Sequence, residues 1–363
     1  MTIDSVATLR ERDWATEDPA DVEPLRYAVV GLGGYARNVS LPAIERGSYA
    51  AVGAVVSGDP TKADRVTAEY DAVPLSYESY AAGEATGAYD AVYVATPNRE
   101  HRPHVETAAE HGRHVLCEKP LDATVDRAAA SVEACAAADV RLMTAYRMQT
   151  DPVVRGLRRL IADGAVGDPV KLFGDFTFPV LAGDRGVDQW RLDAALAGGG
   201  ALYDVGVYPL NTARFLLDAD PVAVTATAVG GDGEERSSAT PFAEVDAHTH
   251  FHVEFPDGVV GNFSASFRGA GNATLTLVGT DGRVRVEDAF QPGHDRRVVV
   301  ETGDERVEIE DVGGDETVAA FDYFAHAVRT DGAIDPDADD GLTDQRVLAA
   351  IRRAATDGER VAL

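Results

Sequence analysis

Between residues 25 and 145 the chain repeats one unit: a short apolar run, a loop, then a stretch with helical spacing. The runs lie at 25–30, 51–56, 89–95, 113–116 and 140–145. A strand that is apolar on both faces must be buried on both, and parallel sheets clad by helices provide that burial. Five or six such strands alternating with helices predict an α/β fold built on a doubly wound parallel sheet. From residue 151 the pattern changes. After a helix over 152–163, strand patterns follow at 170–178, 222–229, 247–255, 259–267, 273–278 and 283–287, with turn signals such as Pro256-Asp257-Gly258 and Thr280-Asp281-Gly282 between neighbours. Such turns close hairpins, so the second half predicts an α+β domain with a large, mostly antiparallel open sheet. The implied boundaries are an N-terminal arm over 1–25, a doubly wound domain over 26–148 and the α+β domain over 149–363. Helices over 316–330 and 342–356 flank an acidic loop at 335–340 that reads as solvated.

The loops after the apolar runs carry the candidate chemistry. The first run enters Gly31-Leu32-Gly33-Gly34-Tyr35-Ala36, followed by a helical stretch to about Arg46. Gly31 permits a tight turn, Gly33 lets backbone approach a pyrophosphate, and Ala36 keeps helix against strand, the pattern of a dinucleotide-binding Rossmann turn. The second run ends at Ser57-Gly58, with Lys62 five residues on. A hydroxyl and an ammonium suit a 2′-phosphate better than a diol, which predicts NADP, with Asp59 either turned to solvent or competing. The third run leads to Thr96-Pro97-Asn98, and His101 and His104 open the next helix. The fourth ends in Cys117-Glu118-Lys119-Pro120. Its proline stops strand and helix alike, fixing a lysine at the carboxyl edge of the sheet, where open α/β folds bind ligands. Of 33 basic residues only Lys62, Lys119 and Lys171 are lysines. A lysine retained against that bias points to a role arginine cannot fill, such as sharing a proton. The fifth run leads to Tyr146-Arg147-Met148-Gln149.

In the second half, Trp190-Arg191-Leu192-Asp193 and Gly198-Gly199-Gly200 precede Asp204-Val205-Gly206-Val207-Tyr208-Pro209-Leu210-Asn211. Helical spacing puts Asp204, Tyr208 and Asn211 on one face. Alone, the segment reads as a capping aspartate and a surface tyrosine. Joined to Lys119 it reads as a proton-transfer set: tyrosine as acid/base, lysine favouring the phenolate, aspartate orienting the group or a sugar.

Composition narrows the setting. The formal charge is −28, with 61 acidic against 33 basic residues, and the carboxylates are scattered. Such a surface repels itself, and at about 1 M salt, where the Debye length is ~3 Å, that repulsion is screened. Few lysines and many carboxylates read as adaptation to a salt-rich cytoplasm, and acidity argues against nucleic acid or an anionic membrane as partner. The first 25 residues hold no apolar run resembling a secretory signal, so a cytoplasmic protein is the expectation. Cys117 and Cys135 read as ordinary buried thiols.

The glycine turn, Glu118-Lys119-Pro120, Tyr146-Arg147, Trp190-Arg191 and the 204–211 segment, in this order, resemble the glucose-fructose oxidoreductase and inositol dehydrogenase (Gfo/Idh/MocA) family over nearly the whole chain. Many members carry histidine where this chain has Tyr208, and tyrosine resembles the sugar-oxidising branch. The resemblance implies hydride transfer from C1 of an aldose, D-xylose first among candidates, to NADP, giving an aldonolactone. It implies Lys119, Tyr208 and Asp204 as catalytic residues. It places the cofactor against Gly31, Gly33, Gly34, Tyr35, Ala36, Ser57, Lys62, Thr96, Asn98, His101, Glu118, Lys119, Arg147, Trp190 and Arg191. The sugar falls to Lys119, Tyr146, Asp204, Tyr208 and Asn211. The alternatives are an oxidoreductase that retains its cofactor and dismutates two sugars, another polyol or sugar dehydrogenase, and a non-catalytic NADP-sensing regulator. His248, His250 and His252 share one strand face, yet residues two apart on a strand lie roughly 7 Å from each other, so no metal site is expected. That face reads as a subunit contact, and a dimer or tetramer through the C-terminal sheet is the expectation.

Overall fold

The computed structural model describes residues 9, 11–183, 185–231, 237–313 and 315–363. They form two compact units, one of Asp13–Thr150 with Asp315–Gln345, the other of Met1–Arg12, Asp151–Gly314 and Arg346–Leu363.

The first unit is built on six strands: β1 Leu25–Val30, β2 Ala50–Val56, β3 Val73–Leu75, β4 Ala91–Val94, β5 His114–Cys117 and β6 Leu142–Thr144. All pair in parallel in the order β3-β2-β1-β4-β5-β6. The order reverses beside β1, the switch point at which such sheets open a crevice at their carboxyl edge. The apolar runs supply the core: Val29, Val30, Val55, Val56, Val92, Val94 and Val115 are all fully buried. Sequence patterning misses β3, which is three residues long and contains Pro74.

Three segments sit elsewhere than sequence alone suggests. The helix Glu316–Thr330, grouped by its position with the second domain, packs on this first sheet. Tyr27 donates its hydroxyl proton to the Phe321 carbonyl at 2.8 Å, and the two rings meet edge to face at 5.3 Å. An amphipathic helix declares that one face is buried, not which sheet buries it. The arm is also anchored where it is described: Trp14 packs on Tyr49, Tyr323 and His326, with centroids at 6.1, 5.5 and 5.7 Å. Residues 1–8 and 10 of that arm lie outside the described residues. The acidic loop does structural service as well, since Thr144 donates its N–H to the Pro336 carbonyl at 2.8 Å and Met143 bridges Asp337, finishing the β6 edge.

The second unit carries nine strands: β7 Pro169–Thr177, β8 Ala223–Gly230, β9 Asp246–Glu254, β10 Val260–Ser266, β11 Asn272–Gly279, β12 Gly282–Glu287, β13 Arg296–Thr302, β14 Glu305–Val312 and β15 Val361–Ala362. Their order is β14-β13-β12-β11-β7-β10-β9-β8-β15, and β7 with β10 is the one parallel pair. Sequence patterning misses β13 and β14, where charge obscures the alternation. Arg297 of β13 reaches Glu287 at 3.1 Å and Glu308 at 2.5 Å, so arginine and glutamate ladder across three strands. Inside the unit, Arg296 is fully buried and pairs with Asp151 at 2.8 Å, while Asp151 also caps the helix Pro152–Ala162. Among the described residues no helix is long and apolar enough to cross a membrane.

One ion cluster makes the first unit sensitive to acid. Asp90 accepts from Arg26 at 2.8 and 3.1 Å and from Arg329 at 2.7 Å, tying β1 to the helix Glu316–Thr330. Burial pushes the carboxyl pKa up, but the Arg26 and Arg329 bonds and charges outweigh it and hold it at about 2. A folded pKa below the unfolded one gives stability that is complete above about pH 4 and lost as pH falls toward 2. Asp90→Asn is therefore expected to cost about 2 kcal/mol at neutral pH and little near pH 2, read by urea unfolding at constant high salt.

Candidate active site

In the first unit, parallel pairing brings the loops after β1, β2, β4 and β5 to one edge. Gly31 turns with φ +93°, and a Cβ there would stand 2.8 Å from the Thr96 methyl, so only glycine fits between the two loops. Gly33 and Gly34 are exposed with open space where side chains would be, leaving the backbone approachable. Tyr35 is half-buried and Ala36 is buried in a five-residue π-helical turn, Ala36–Ser40, that leads into the helix Leu41–Arg46. Inserted turns of this kind recur at functional sites.

At the end of β2, Ser57 is buried and accepts the Asp59 N–H at 3.1 Å. Asp59 caps the helix Pro60–Thr67 and lies 3.7 Å from the Lys62 ammonium. Its carboxylate is thus engaged with a helix start and a cation, which settles the question of what Asp59 faces within this loop. A hydroxyl and an ammonium remain at the position where a diol-binding acid is usual, a donor set that fits a 2′-phosphate. Thr96 Oγ1 is buried and unpaired, and Asn98 is buried beside it in the same loop.

The Glu118-Lys119 pair follows β5. Glu118 donates its N–H to the Val94 carbonyl at 3.0 Å, and its carboxylate accepts from Tyr93 at 2.7 Å and from the Lys119 N–H at 3.2 Å. Lys119 precedes Pro120 through a cis peptide bond. Tyr146 is buried after β6. Two expectations need correction. His101 is wholly buried, with its ring nitrogens on the carbonyls of Thr96 at 3.0 Å and Leu121 at 3.2 Å. It staples two loops together, and burial lowers its pKa against the pull of those carbonyls. Arg147, also expected at the cofactor, is buried and pairs with Glu316 at 2.5 Å, anchoring the helix Glu316–Thr330.

In the second unit, Asp204 lies in another π-helical turn, Leu202–Gly206, ahead of the helix Val207–Leu217. The wide turn breaks the regular spacing assumed for Asp204, Tyr208 and Asn211. Arg191 donates from Nε to Asp204 at 3.0 Å while its guanidinium stacks 4.6 Å from the Trp190 ring. Tyr208 is half-buried, held edge-on by Phe176 at 5.3 Å and flanked by Phe290 at 6.0 Å. Asn211, on the helix Val207–Leu217, is only 2% exposed. Asp246 opens β9, the strand that carries His248, His250 and His252. In the structure its carboxylate accepts the N–H groups of Gly200 at 2.7 Å and Leu202 at 2.8 Å, and no side chain fits at Gly200 because Asp246 backbone fills the space. The glycines are therefore a close-packing device under the Asp204 turn.

The outward face of this sheet forms a shallow depression of about 500 Å³ lined by His250, His252, Asn262, Ser264, Thr227 and half-exposed Phe173, among others. His248 and His252 bond Ser266 and Asn262 at 3.2 and 3.1 Å, and no group of three metal-ligating side chains occurs among the described residues.

Residues 25–146 match the oxidoreductase family with an NAD-binding Rossmann fold, and residues 154–285 match the GFO/IDH/MocA C-terminal domain. The chain is 41% identical to D-xylose 1-dehydrogenase [NADP(+)] of Haloarcula marismortui, over 95% of this chain and 94% of that protein. The chain belongs to the Gfo/Idh/MocA family. Another member, D-xylose 1-dehydrogenase (NADP(+)) 2 of Haloferax volcanii, is 31% identical over 93% of this chain and 100% of its own length. Among solved Gfo/Idh/MocA structures, the aldose-aldose oxidoreductase of Caulobacter crescentus superposes with a TM-score of 0.87 at 33% identity, covering 94% of this chain and all of that one.

Removing the Asp246 carboxylate tests how the Asp204 turn is held. Asp246→Ala strands two buried N–H groups and is expected to cost about 2 kcal/mol in chemical unfolding, with Asp246→Asn, which keeps one acceptor, near half that.

Proposed function

We propose that this Gfo/Idh/MocA protein oxidises an aldose, D-xylose first, at C1 with NADP, releasing the aldonolactone. The observation that carries the cofactor assignment is local to one loop: the Asp59 carboxylate is engaged at the helix cap, and the buried Ser57 hydroxyl with the half-exposed Lys62 ammonium supports a 2′-phosphate. Gly31, Gly33 and Gly34 would bring backbone N–H groups to the pyrophosphate, and Tyr35, Thr96 and Asn98 would line the remainder. When bound, the nicotinamide supplies the hydride acceptor for C1.

The chain's own residues handle the proton and the sugar. Tyr208 takes the C1 hydroxyl proton. Its ring is fixed by Phe176 and Phe290, so little rotamer freedom is lost when the hydroxyl is engaged. Lys119 binds ribose and sugar hydroxyls, as a compact cation with three rotatable donors. Asp204, oriented by Arg191, accepts from sugar hydroxyls. The Trp190 ring packs against the Arg191 guanidinium at 4.6 Å and helps to hold it in place. The likeness to the D-xylose 1-dehydrogenases of Haloarcula marismortui and Haloferax volcanii supports xylose as substrate, and a charge of −28 supports a requirement for molar salt. A homo-oligomer formed through the exposed face of the second sheet is part of the same reading.

A second reading has its own support in the resemblance to the aldose-aldose oxidoreductase. In this reading the cofactor stays bound to the present chain and a second sugar is reduced. Co-elution of the cofactor through gel filtration, with slow exchange against free NADP, would favour it.

Steady-state reduction of NADP by D-xylose at about 2 M salt is the direct test, with other aldoses and NAD as comparisons. Turnover with NADP and xylose that declines on dilution of salt is expected; NADP binding without turnover on any aldose would overturn the assignment. Tyr208→Phe is expected to lower kcat at least 100-fold. Ser57→Ala with Lys62→Ala should raise the KM for NADP about tenfold or more while leaving the KM for NAD nearly unchanged.

A further inference from the structure

Two buried polar groups of the first unit, Tyr93 and Ser40, stand behind the Glu118-Lys119 pair and have no part in the roles assigned above. Tyr93 sits on β4 among Ala91, Val92 and Val94 and is 1% exposed. Phenylalanine would fill its place equally well against Phe321, whose ring meets it at 4.9 Å. The hydroxyl is therefore the feature to explain, because burying one is unfavourable unless it is bonded. It donates its single proton to Glu118 Oε1 at 2.7 Å, so its oxygen must accept from Ser40 Oγ at 2.9 Å. Ser40 is fully buried and closes the π-helical turn that follows the glycine turn. The other Glu118 oxygen accepts the Lys119 N–H. Burial, reinforced by the Glu118 charge, keeps the phenol well above its ordinary pKa, so it remains a neutral donor.

We propose that Tyr93 is a positioning residue for sugar oxidation: its hydroxyl, oriented by Ser40, locks the Glu118 carboxylate, which fixes the Lys119 backbone and hence the point from which the ammonium acts. The glycine turn and the lysine loop are thereby joined by side chains as well as by the sheet. This inference rests on the assignment of Lys119 to the reaction. Loss of the hydroxyl frees a half-exposed carboxylate to turn to water, leaves the lysine peptide without its acceptor, and touches none of the groups assigned to the 2′-phosphate.

The test compares Tyr93→Phe, Ser40→Ala, Glu118→Gln and the double variant Tyr93→Phe/Glu118→Gln in the full chain at high salt. Tyr93→Phe is expected to lower kcat about tenfold and to displace its pH profile, with the KM for NADP changed less than about twofold. Ser40→Ala, which leaves the bond to Glu118 in place, should lose about threefold. The double variant should be no slower than Glu118→Gln alone, since both changes cut the same link. Wild-type kcat and pH profile in Tyr93→Phe would overturn the proposal, as would losses that multiply in full in the double variant. Tyr208→Phe in parallel separates the two ideas. Full turnover there sinks the reaction assignment, whereas its loss beside an unchanged Tyr93→Phe sinks only the positioning role.

Discussion

Parallel pairing is the constraint on which the first unit depends. Because β1 pairs in parallel with both β2 and β4, and β4 with β5, the chain leaves each of these strands at the same edge. Four loops far apart in sequence, at Gly31, Ser57, Thr96 and Glu118, become neighbours without any of them having to find the others. Side-chain contacts then tighten what the sheet brings near: glycine packed against Thr96, His101 bonded to two loop carbonyls, Tyr93 bonded to Glu118. The second unit solves its own problem differently. Asp204 is carried on a wide helical turn whose first N–H groups are satisfied by Asp246 from a strand, and Tyr208 is held by aromatic packing.

The features readable in the sequence were those set by local chemistry. Apolar runs, the glycine turn, the proline after Lys119 and the hairpin turns each act over a few residues, and five of six parallel strands follow from them. What could not be read depends on partners distant in the chain. The contact of the His101 ring with the Leu121 carbonyl and that of Arg147 with Glu316 each join residues 20 or more positions apart, which no local pattern shows. The same holds for Glu316–Thr330, whose amphipathic pattern is indifferent to which sheet receives it. Charged edge strands fail for another reason: in β13 and β14 the cross-strand arginine–glutamate ladder replaces the apolar alternation that patterning detects. Tyr93 did leave a signal, a lone hydroxyl in a buried strand that had to find a partner.

Electrostatics sets the working conditions. Isolated exposed ion pairs contribute little at molar salt, so the ladder on β12 to β14 serves chiefly to disperse like charge along an acidic surface. The buried pairs, Arg296 with Asp151 and Arg147 with Glu316, are shielded from that screening and fix how helices join their sheets. Function follows the same division. In the proposed reading, sugar and cofactor recognition rest on side chains oriented by neighbours, and the exposed charge sets the salt in which the chain works.

The central claim is transfer of the hydrogen on C1 of an aldose to NADP. It is tested most directly with D-xylose carrying deuterium at C1, following the label by mass spectrometry and the rate by absorbance. The account predicts deuterium in the reduced nicotinamide and a slower transfer than with unlabelled sugar. Deuterium retained on the sugar while NADP is reduced would contradict it.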